Sequence, residues 1–352
     1  MAGPFTSVLG ALVNENTYFL KLPLSNYHDP VKYLDQSFLL PTWLGSNSFI
    51  KYLVDFLIEI LLIIKIRITL KGTLTVIAID PLCAMPATIL RRLLDYKLIF
   101  YSVDFNETRF KNKLMQRLYE LFDKFSATHS EKTWVVCDSL KVYKKETYGI
   151  DSVYMPNSFP YDGSYFLENK GKRTGNKAVW KGIILVDSQI RGLVRIAKEL
   201  QQIRPELEFL FLTQNKKEEF ETEVLNQSLE RCEIVQVLGQ KESWSLVAQC
   251  DIGLAIYDNK FGSTKYIEPI KIWGYAMCGI PFIISCEPSL NDEFTEKQVC
   301  LKLLPNNQMP DISIVRTFIS QDALLSKQKP SLELAQKYDL SIIVKKALED
   351  LN

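Results

Sequence analysis

The sequence is poor in the residues from which metal and redox centres are commonly built. It contains only two histidines, His28 and His129, so a histidine-rich metal site is excluded. Its seven cysteines are scattered, odd in number and never arranged as a CxxC pair, which is typical of reduced thiols and predicts a cytoplasmic protein. Catalysis in such a chain would have to use carboxylates, backbone amides, lysine and arginine.

The sequence has neither an excess of one charge nor a long apolar run. Its 42 lysines and arginines balance 41 aspartates and glutamates, so it lacks the basic field of nucleic-acid-binding proteins, and no nucleic-acid partner is expected. The most apolar stretch, residues 49–70, is interrupted by five charged residues, whereas a membrane-spanning helix needs about 20 apolar residues in succession. The N-terminus lacks the basic region of a signal peptide. We expect a soluble or membrane-surface protein.

The residues that are present favour a folded α/β protein. The 352 residues are 47% apolar and 11% aromatic, which is enough for about two domains. Apolar β-branched runs alternate with segments of helical periodicity, and this alternation predicts parallel sheets flanked by helices. The predicted strands are residues 74–79, 98–103, 133–137, 153–155, 178–186, 208–213, 234–238, 252–257 and 281–285. The predicted helices are residues 49–64, 84–94, 108–125, 139–148, 192–202, 218–229, 242–249, 269–278 and 341–351.

A polar, turn-rich stretch at residues 157–176 separates two such alternating patterns. We therefore predict two doubly wound, Rossmann-like domains, residues 1–160 and 177–335, joined by a linker at residues 161–176. The final segment, residues 336–352, is predicted to pack back on the first domain.

Polar residues at the carboxyl ends of the predicted strands are the candidates for a site, because open parallel sheets bind ligands there. In the first half these are Asp80, Asp104 and Asn106. In the second half Ser188 and Arg191 follow one strand. Lys271 lies in the first turn of a predicted helix, where a cation is unfavourable unless an anion such as a diphosphate lies nearby.

The segment of residues 257–285 resembles the donor-binding segment of the GT-B glycosyltransferases, especially glycosyltransferase family 4. That family has a pattern close to P-x-K-x-x-E-Y-M-A-x-G-x-P. The residues that match it are Pro269, Lys271, Tyr275, Ala276, Met277, Gly279 and Pro281, with Ala276 and Met277 in exchanged order. Further matches follow in the family's order: Tyr148-Gly149-Ile150, Met155-Pro156-Asn157, Gly182, Arg191-Gly192 and Cys250 to Leu254.

The resemblance implies a GT-B fold and transfer of a sugar from a nucleotide-diphosphate sugar to a glycan or lipid-linked acceptor. The second domain would bind the donor and the first domain the acceptor, with retention of configuration and without a metal or another cofactor. The family's paired glutamates would fall at Tyr266 and Gly274, and neither residue is acidic. The second glutamate normally holds the ribose; Glu268, two residues from the first position, is the candidate substitute.

These arguments assign roles to particular residues. Asp104, Lys271 and Arg191 are the candidate catalytic residues, with Asp104 as a base or acceptor-positioning group. The candidate donor-binding residues are Lys271, Arg191, Glu268, Tyr266, Ser188 and Gly279. The candidate acceptor-binding residues are Asp80, Asn106 and Arg109. Each has a plainer interpretation: the basic residues as solvated surface groups, the acidic ones as turn or helix-capping residues, and Gly279 as the end of a helix.

Four alternatives stay open at this point. Residues 91–124 carry eight basic and five acidic residues, which fits either a solvated face or contact with an anionic membrane surface. The absent glutamates fit a non-catalytic GT-B subunit, and they leave an inverting reaction with Asp104 as base open. A GT-B epimerase shares the fold, but the sequence lacks the clustered histidines and acids that such chemistry would want. A dehydrogenase is disfavoured because no GxGxxG follows a strand.

Overall fold

The computed structural model describes residues 49–103, 105–184, 186–237, 239–257 and 264–351, with side chains from residue 53 onward. It also describes the backbone of three short strands, β1 (Leu20–Lys21), β2 (Val31–Tyr33) and β3 (Gln36–Phe38), which pair antiparallel in that order. The chain divides into two compact units. Among the described residues, the first unit contains those up to residue 136, residues 140–155 and residue 351, and the second contains residues 137–139 and those between 156 and 350.

The first unit is built on a parallel sheet whose strands follow each other in chain order. The strands are β4 (Thr75–Ile79), β5 (Lys97–Ser102), β6 (Lys132–Val135) and β7 (Val153–Tyr154). The helices of this part of the chain are α1 (Phe49–Thr69), α2 (Pro81–Leu94), α3 (Lys113–His129) and α4 (Asp138–Tyr148). Its core gathers small residues of α2, such as Ala84 and Ala87, against Leu98 and Phe100 of the buried strand β5.

Local sequence explains where two of these helices begin. Asp80 accepts a hydrogen bond from the backbone N–H of Leu82 (3.0 Å), and Pro81 follows as the first residue of α2. Asn112 accepts from the N–H of Leu114 (2.9 Å) and so caps α3. The residue directly after β4, Asp80, therefore caps the next helix, and the connection at the carboxyl end of the strand is a single residue long.

The second unit is built on a six-stranded parallel sheet in the order β10-β9-β8-β11-β12-β13. Its strands are β8 (Lys177–Gly182), β9 (Glu208–Thr213), β10 (Cys232–Gln236), β11 (Ile252–Ala255), β12 (Phe282–Ile284) and β13 (Cys300–Lys302). Its helices are α5 (Ser164–Asn169), α6 (Asp187–Ile203), α7 (Lys217–Asn226), α8 (Gln240–Val247), α9 (Ile270–Met277), α10 (Asp292–Glu296), α11 (Ile312–Phe318), α12 (Gln321–Ser326), α13 (Gln328–Lys337) and α14 (Leu340–Glu349).

The strand order of this sheet reverses between β8 and β11. From β8 the chain moves outward through β9 and β10, and it then returns to β11 and moves the other way. Alternate residues of β8 enter different cores, since Ala178 and Trp180 belong to one buried cluster and Val179 to the other. The sheet is thus covered on both faces, and its reversal point is the position where open α/β sheets bind ligands.

The predicted α/β fold class is confirmed, and the differences lie in element boundaries. Helix α6 begins at Asp187, five residues before the predicted start, so Arg191 lies inside the helix rather than before it. Strand β13 and helices α10 to α13 were not predicted, and neither was helix α5, which lies within the predicted linker. Helix α14 begins at Leu340, one residue before the predicted start, and is capped by Asp339, which accepts from the N–H of Ser341 (2.9 Å).

The position of the last segment stays a prediction. The N–H of Leu340, the first residue of α14, donates to the carbonyl of Phe159 (3.2 Å), and both residues belong to the second unit. Beyond the helix, Lys97 Nζ donates to the Leu351 carbonyl (2.6 Å) within the first unit. Among the helices of the described ranges, none combines the length and apolarity needed to cross a membrane.

Candidate functional site

Two lysines meet at the carboxyl end of β8, at the reversal point of the larger sheet. Lys181 is the penultimate residue of β8, and Lys271 is the second residue of α9. Gly182 lies between them: a Cβ there would come within 3.2 Å of Lys271 Nζ and 3.1 Å of Trp180 Cζ2. Because Gly182 has no side chain, the Lys271 ammonium can lie close to the end of β8.

The Lys271 ammonium lies between two aromatic rings. Its Nζ is 4.7 Å from the ring centre of Trp180 and 5.2 Å from that of Tyr257, within cation–π range of both. Removal from water, and then the positive charge of Lys181, lower the pKa of Lys271 to about 7. The rings stabilise the charged form less well than water would, so the ammonium is poised to gain from an incoming anion.

Lys181 is in a similar position on the opposite face of the strand. Its Nζ is 4.2 Å from the ring centre of Trp244, and burial lowers the pKa of Lys181 to about 8. In the described part of the chain, neither Lys181 nor Lys271 has a carboxylate within ion-pairing distance. The indole N–H groups of Trp180 and Trp244 are buried and lack an acceptor there as well. The site therefore concentrates positive charge and hydrogen-bond donors.

Trp244 packs against Gly274, the position where the resemblance to family 4 would place the second glutamate. Gly274 stands at that position, and a Cβ built on it would lie 1.9 Å from Trp244 Cη2. The indole packs edge-on against Phe159 and Tyr275, with ring centres 5.7 Å and 6.4 Å away. The indole thus fills the space that any side chain at position 274 would need, and a carboxylate cannot be accommodated without moving it.

Glu268 and Tyr266, which lie at or near the position of the family's first glutamate, are buried and form hydrogen bonds within the second unit. Glu268 Oε2 accepts from Trp273 Nε1 (2.7 Å) and from the N–H of Asn157 (3.2 Å). Asn157 Nδ2 in turn donates to the Glu268 carbonyl (2.9 Å). Tyr266 is buried in a single 3-10 turn, where its hydroxyl accepts from Lys265 Nζ (3.0 Å). Glu268 therefore links the chain around Asn157 to α9 by hydrogen bonds, which is a structural role.

The remaining candidates for donor binding lie at helix ends or on the surface. Ser188 is half-buried in the first turn of α6, the helix that follows β8. Arg191 is exposed in the second turn of that helix. Gly279 has a φ of +66° just after α9, and its carbonyl accepts from Arg173 Nη1 (3.1 Å). Its left-handed conformation ends the helix, as the plainer interpretation of this residue predicts.

The three candidate acceptor residues come together in the first unit. Asp80 Oδ2 accepts from Arg109 Nη1 (2.5 Å), and the guanidinium lies 5.1 Å from the ring centre of Tyr119. Burial by itself lowers the pKa of Arg109, but Asp80 and Tyr119 hold it above its usual value. The Asn106 carbonyl accepts from the Arg109 N–H (3.3 Å) and from Gln116 Nε2 (3.1 Å).

The backbone of Asp80, one of these three residues, is strained. Asp80 has a φ of +71°, a region that a non-glycine residue enters only when its surroundings enforce it. Asp104, the candidate base, lies outside the described residues. Within the described residues, no group of three or more His, Cys, Asp or Glu side chains is placed to hold a metal ion.

Lys181 and Trp244 are the site residues that sequence analysis missed. A lysine directly before the glycine that ends a buried strand was a usable signal, because charged residues are rare in such strands. Trp244 carried no signal, since its role depends on packing against Gly274, 30 positions further along the chain.

Comparison with known proteins gives similarities to solved structures but not to known sequences. No protein-family model matches the sequence, and no curated protein matches it. An α,α-trehalose-phosphate synthase (UDP-forming) from Burkholderia vietnamiensis is similar in structure, with a TM-score of 0.64 and 12% identity over 88% of this chain and 79% of that one.

Two further solved structures agree. Anabaena HepE in complex with UDP gives a TM-score of 0.61 and 12% identity over 82% of this chain and 81% of its own. The sucrose-phosphate synthase of Thermosynechococcus elongatus gives 0.59 and 12% over 79% and 73%. These structural similarities show the architecture of this chain: it has the GT-B fold.

Proposed function

We propose that the protein is a glycosyltransferase that takes its sugar from a nucleotide-diphosphate sugar bound by the second unit. The observation that carries this proposal is the pair Lys181 and Lys271, two half-buried cations without a described carboxylate partner at the reversal point of the sheet. Similarity in fold to UDP-forming synthases and to a protein solved with UDP supports a uridine nucleotide as the first donor to test.

The lysines would act on the leaving group. When the bond between the anomeric carbon and the diphosphate oxygen breaks, negative charge grows on the diphosphate. Ammonium groups that are held away from water stabilise that charge more strongly than solvated ones. The partial positive charge at the N-termini of α6, where Ser188 and Arg191 lie in the first two turns, and of α9 would add to this stabilisation.

The acceptor would be bound by the first unit. Asp80, Asn106 and Arg109 share one network at the carboxyl ends of its strands, and Asp104 would be the base or the acceptor-positioning group. We propose a glycan or a lipid-linked sugar as acceptor, with retention of configuration. The reaction would use no metal, so UDP-sugar consumption should continue in excess EDTA.

Calorimetric titration with UDP tests the donor site. Lys271→Met and Lys181→Met should each weaken binding by about 10- to 100-fold, because each loses a charge-assisted contact of about 1.5–3 kcal/mol. Lys329→Met is the matched control: its side chain is exposed in the same unit, so affinity should not change. Absence of UDP binding to the wild type, or equal affinity in all variants, would contradict the proposal.

One observation favours a second candidate, a non-catalytic GT-B subunit that supports an active partner. Gly274 and the Trp244 indole occupy the place of the family's ribose-holding glutamate. A subunit of this kind would bind UDP but leave UDP-sugars intact with every acceptor offered. Consumption of a UDP-sugar by the wild type, abolished in Lys271→Met, would exclude it.

A further inference from the structure

The indole of Trp180 is fully buried, yet its N–H group has no hydrogen-bond acceptor among the described residues. The ring packs in the core of the second unit, with its centre 5.7 Å from that of Phe220. A buried N–H group without an acceptor costs free energy, so native proteins usually supply one from the chain, from water or from a ligand. Trp180 therefore has a donor that its own surroundings, as far as they are described, leave unused.

Two other tryptophans show what is particular to Trp180. Trp134 is equally buried and also lacks an acceptor, but no lysine or arginine of the described ranges lies over its ring. Trp244 has Lys181 over its ring, but its Cζ2 would lie 2.4 Å from a Cβ on Gly274, so that edge faces α9 inside the core. Trp180 thus combines an unused N–H group, a cation on its ring and a place at the end of a strand.

Trp180 and Lys271 flank the same backbone position, Gly182, at the carboxyl end of β8. A Cβ built on Gly182 would lie 3.1 Å from Trp180 Cζ2 and 3.2 Å from Lys271 Nζ. Cζ2 and the indole Nε1 are bonded to the same ring carbon, so the N–H group lies close to this edge of the ring. Glycine within a strand often marks a point where a ligand approaches the backbone closely. An anion that reaches the Lys271 ammonium beside Gly182 would therefore come near the indole N–H.

We propose that the Trp180 indole N–H donates a hydrogen bond to the phosphate oxygen that Lys271 binds. The inference rests on the proposed function, because that oxygen belongs to the diphosphate of the nucleotide sugar. An aromatic ring is negative on its face and positive at its edge, so the face of Trp180 holds the ammonium and its edge would hold the phosphate. The indole would add a donor that packing fixes in place and that carries its proton at every pH at which the protein is folded.

Nuclear magnetic resonance of the full chain with 15N-labelled indoles tests this contact directly. UDP should move the Trp180 Nε1–H resonance downfield, because a hydrogen bond to a charged oxygen deshields the proton. Inorganic pyrophosphate should do the same, and uridine, which has no phosphate, should not. The Trp134 resonance, from an equally buried indole of the first unit, should stay in place. Spectra of Trp180→Phe and Trp134→Phe assign the two signals.

The same two variants measure what the donor contributes to binding. Trp180→Phe keeps an aromatic ring beside Lys271 but removes the N–H group, so it should weaken UDP binding about tenfold in calorimetric titration. The matched control Trp134→Phe makes the identical change at a buried indole without a cation and should leave the affinity unchanged. Circular dichroism checks that both variants fold, and the resonance shift of the wild type does not depend on either.

The possible results separate this inference from the function on which it rests. If calorimetry shows that UDP binds while the Trp180 resonance stays in place, the inference is overturned and the donor site of the second unit stands. If neither UDP nor pyrophosphate binds, both are overturned. A resonance that moves as far with uridine as with UDP also overturns the inference, because the shift would then report a change of the core and not a contact with phosphate.

Discussion

Gly274 occupies a position where a single methyl group would overlap its neighbour. Its ideal Cβ lies 1.9 Å from an atom of the Trp244 indole, in a fully packed core. We expect Gly274→Ala to lower the free energy of unfolding by roughly 1–3 kcal/mol, because overpacking forces side chains from their preferred rotamers. Urea denaturation measures the loss, and the same substitution in a Trp244→Leu background should cost less.

Gly192 provides the matched control for this prediction. It also lies within a helix, α6, but a Cβ there would meet no atom within 4 Å. Gly192→Ala should therefore stabilise the protein by about 0.5–1 kcal/mol, through the reduced entropy of the unfolded chain. Equal losses at Gly192 and Gly274 would show that helix propensity, not the indole, decides the effect.

With a pKa of about 7 at Lys271, the proposed binding of a diphosphate should depend on pH near neutrality. Above pH 7 the free lysine is increasingly neutral, so binding of a diphosphate must take up a proton. We expect the Kd for UDP to rise between pH 7 and pH 9, approaching about tenfold per pH unit. Calorimetry in buffers of different ionisation enthalpy measures that proton uptake directly.

The variant Lys271→Met separates this effect from the second lysine. Its affinity for UDP should be lower at pH 7 and should fall with pH only as Lys181, with a pKa of about 8, loses its proton. A wild-type affinity that is constant from pH 7 to pH 9 would contradict proton-linked binding.

Sequence alone singled out Lys271 as a candidate but not the environment that lowers its pKa. The match to the family pattern and the predicted helix placed its backbone in the first turn of that helix, where the structure has it. The aromatic niche of Trp180 and Tyr257, 91 and 14 positions earlier in the chain, exists only because two parallel strands end side by side. Long-range placement of this kind cannot be deduced from periodicity.

At the scale of elements, the first unit buries an ion pair between α3 and α4. Asp123 and Lys144 are both inaccessible to solvent and form a direct contact, with the Lys144 ammonium 4.9 Å from the Phe105 ring centre. Burial raises the pKa of Asp123 and lowers that of Lys144, and their mutual attraction opposes both shifts. We expect Lys144→Met alone to cost about 3–5 kcal/mol, because it leaves a buried carboxylate without a partner.

The double variant Lys144→Met, Asp123→Leu should regain most of that loss in chemical denaturation, because no uncompensated charge remains. The exposed pair Lys145–Asp151 is the control: its side chains are 58% and 88% accessible, and removing it should cost about 0–1 kcal/mol. A double variant no more stable than Lys144→Met would indicate that the two residues act independently.

The elements that sequence identified best were the buried strands. Glu208–Thr213 is rich in aromatic and aliphatic residues and Thr75–Ile79 in β-branched ones, and each run begins or ends at a polar residue. Helix α6 was placed too late because its first turn, with Asp187 and Ser188, has the composition of a loop. Helices α10 to α13 have five to ten residues each, too few for a helical period to stand out.

At the scale of the whole molecule, the six-stranded sheet and both site lysines lie within residues 156–350. If the second unit holds the donor, a fragment of residues 156–350 should fold and bind UDP about as tightly as the full chain. A UDP-dependent rise in its melting temperature and a calorimetric titration measure this. A folded fragment without affinity for UDP would show that the first unit contributes essential donor contacts.

The lowered pKa of Lys271 also makes this residue a chemical handle. At pH 7 about half of a group with a pKa of about 7 is free amine, whereas an ordinary lysine is free amine in fewer than about one molecule in a thousand. Mild acylation at neutral pH should therefore modify Lys271 well before the exposed lysines. Protection by a candidate ligand, followed by mass spectrometry, would report occupancy of the site before any acceptor is known.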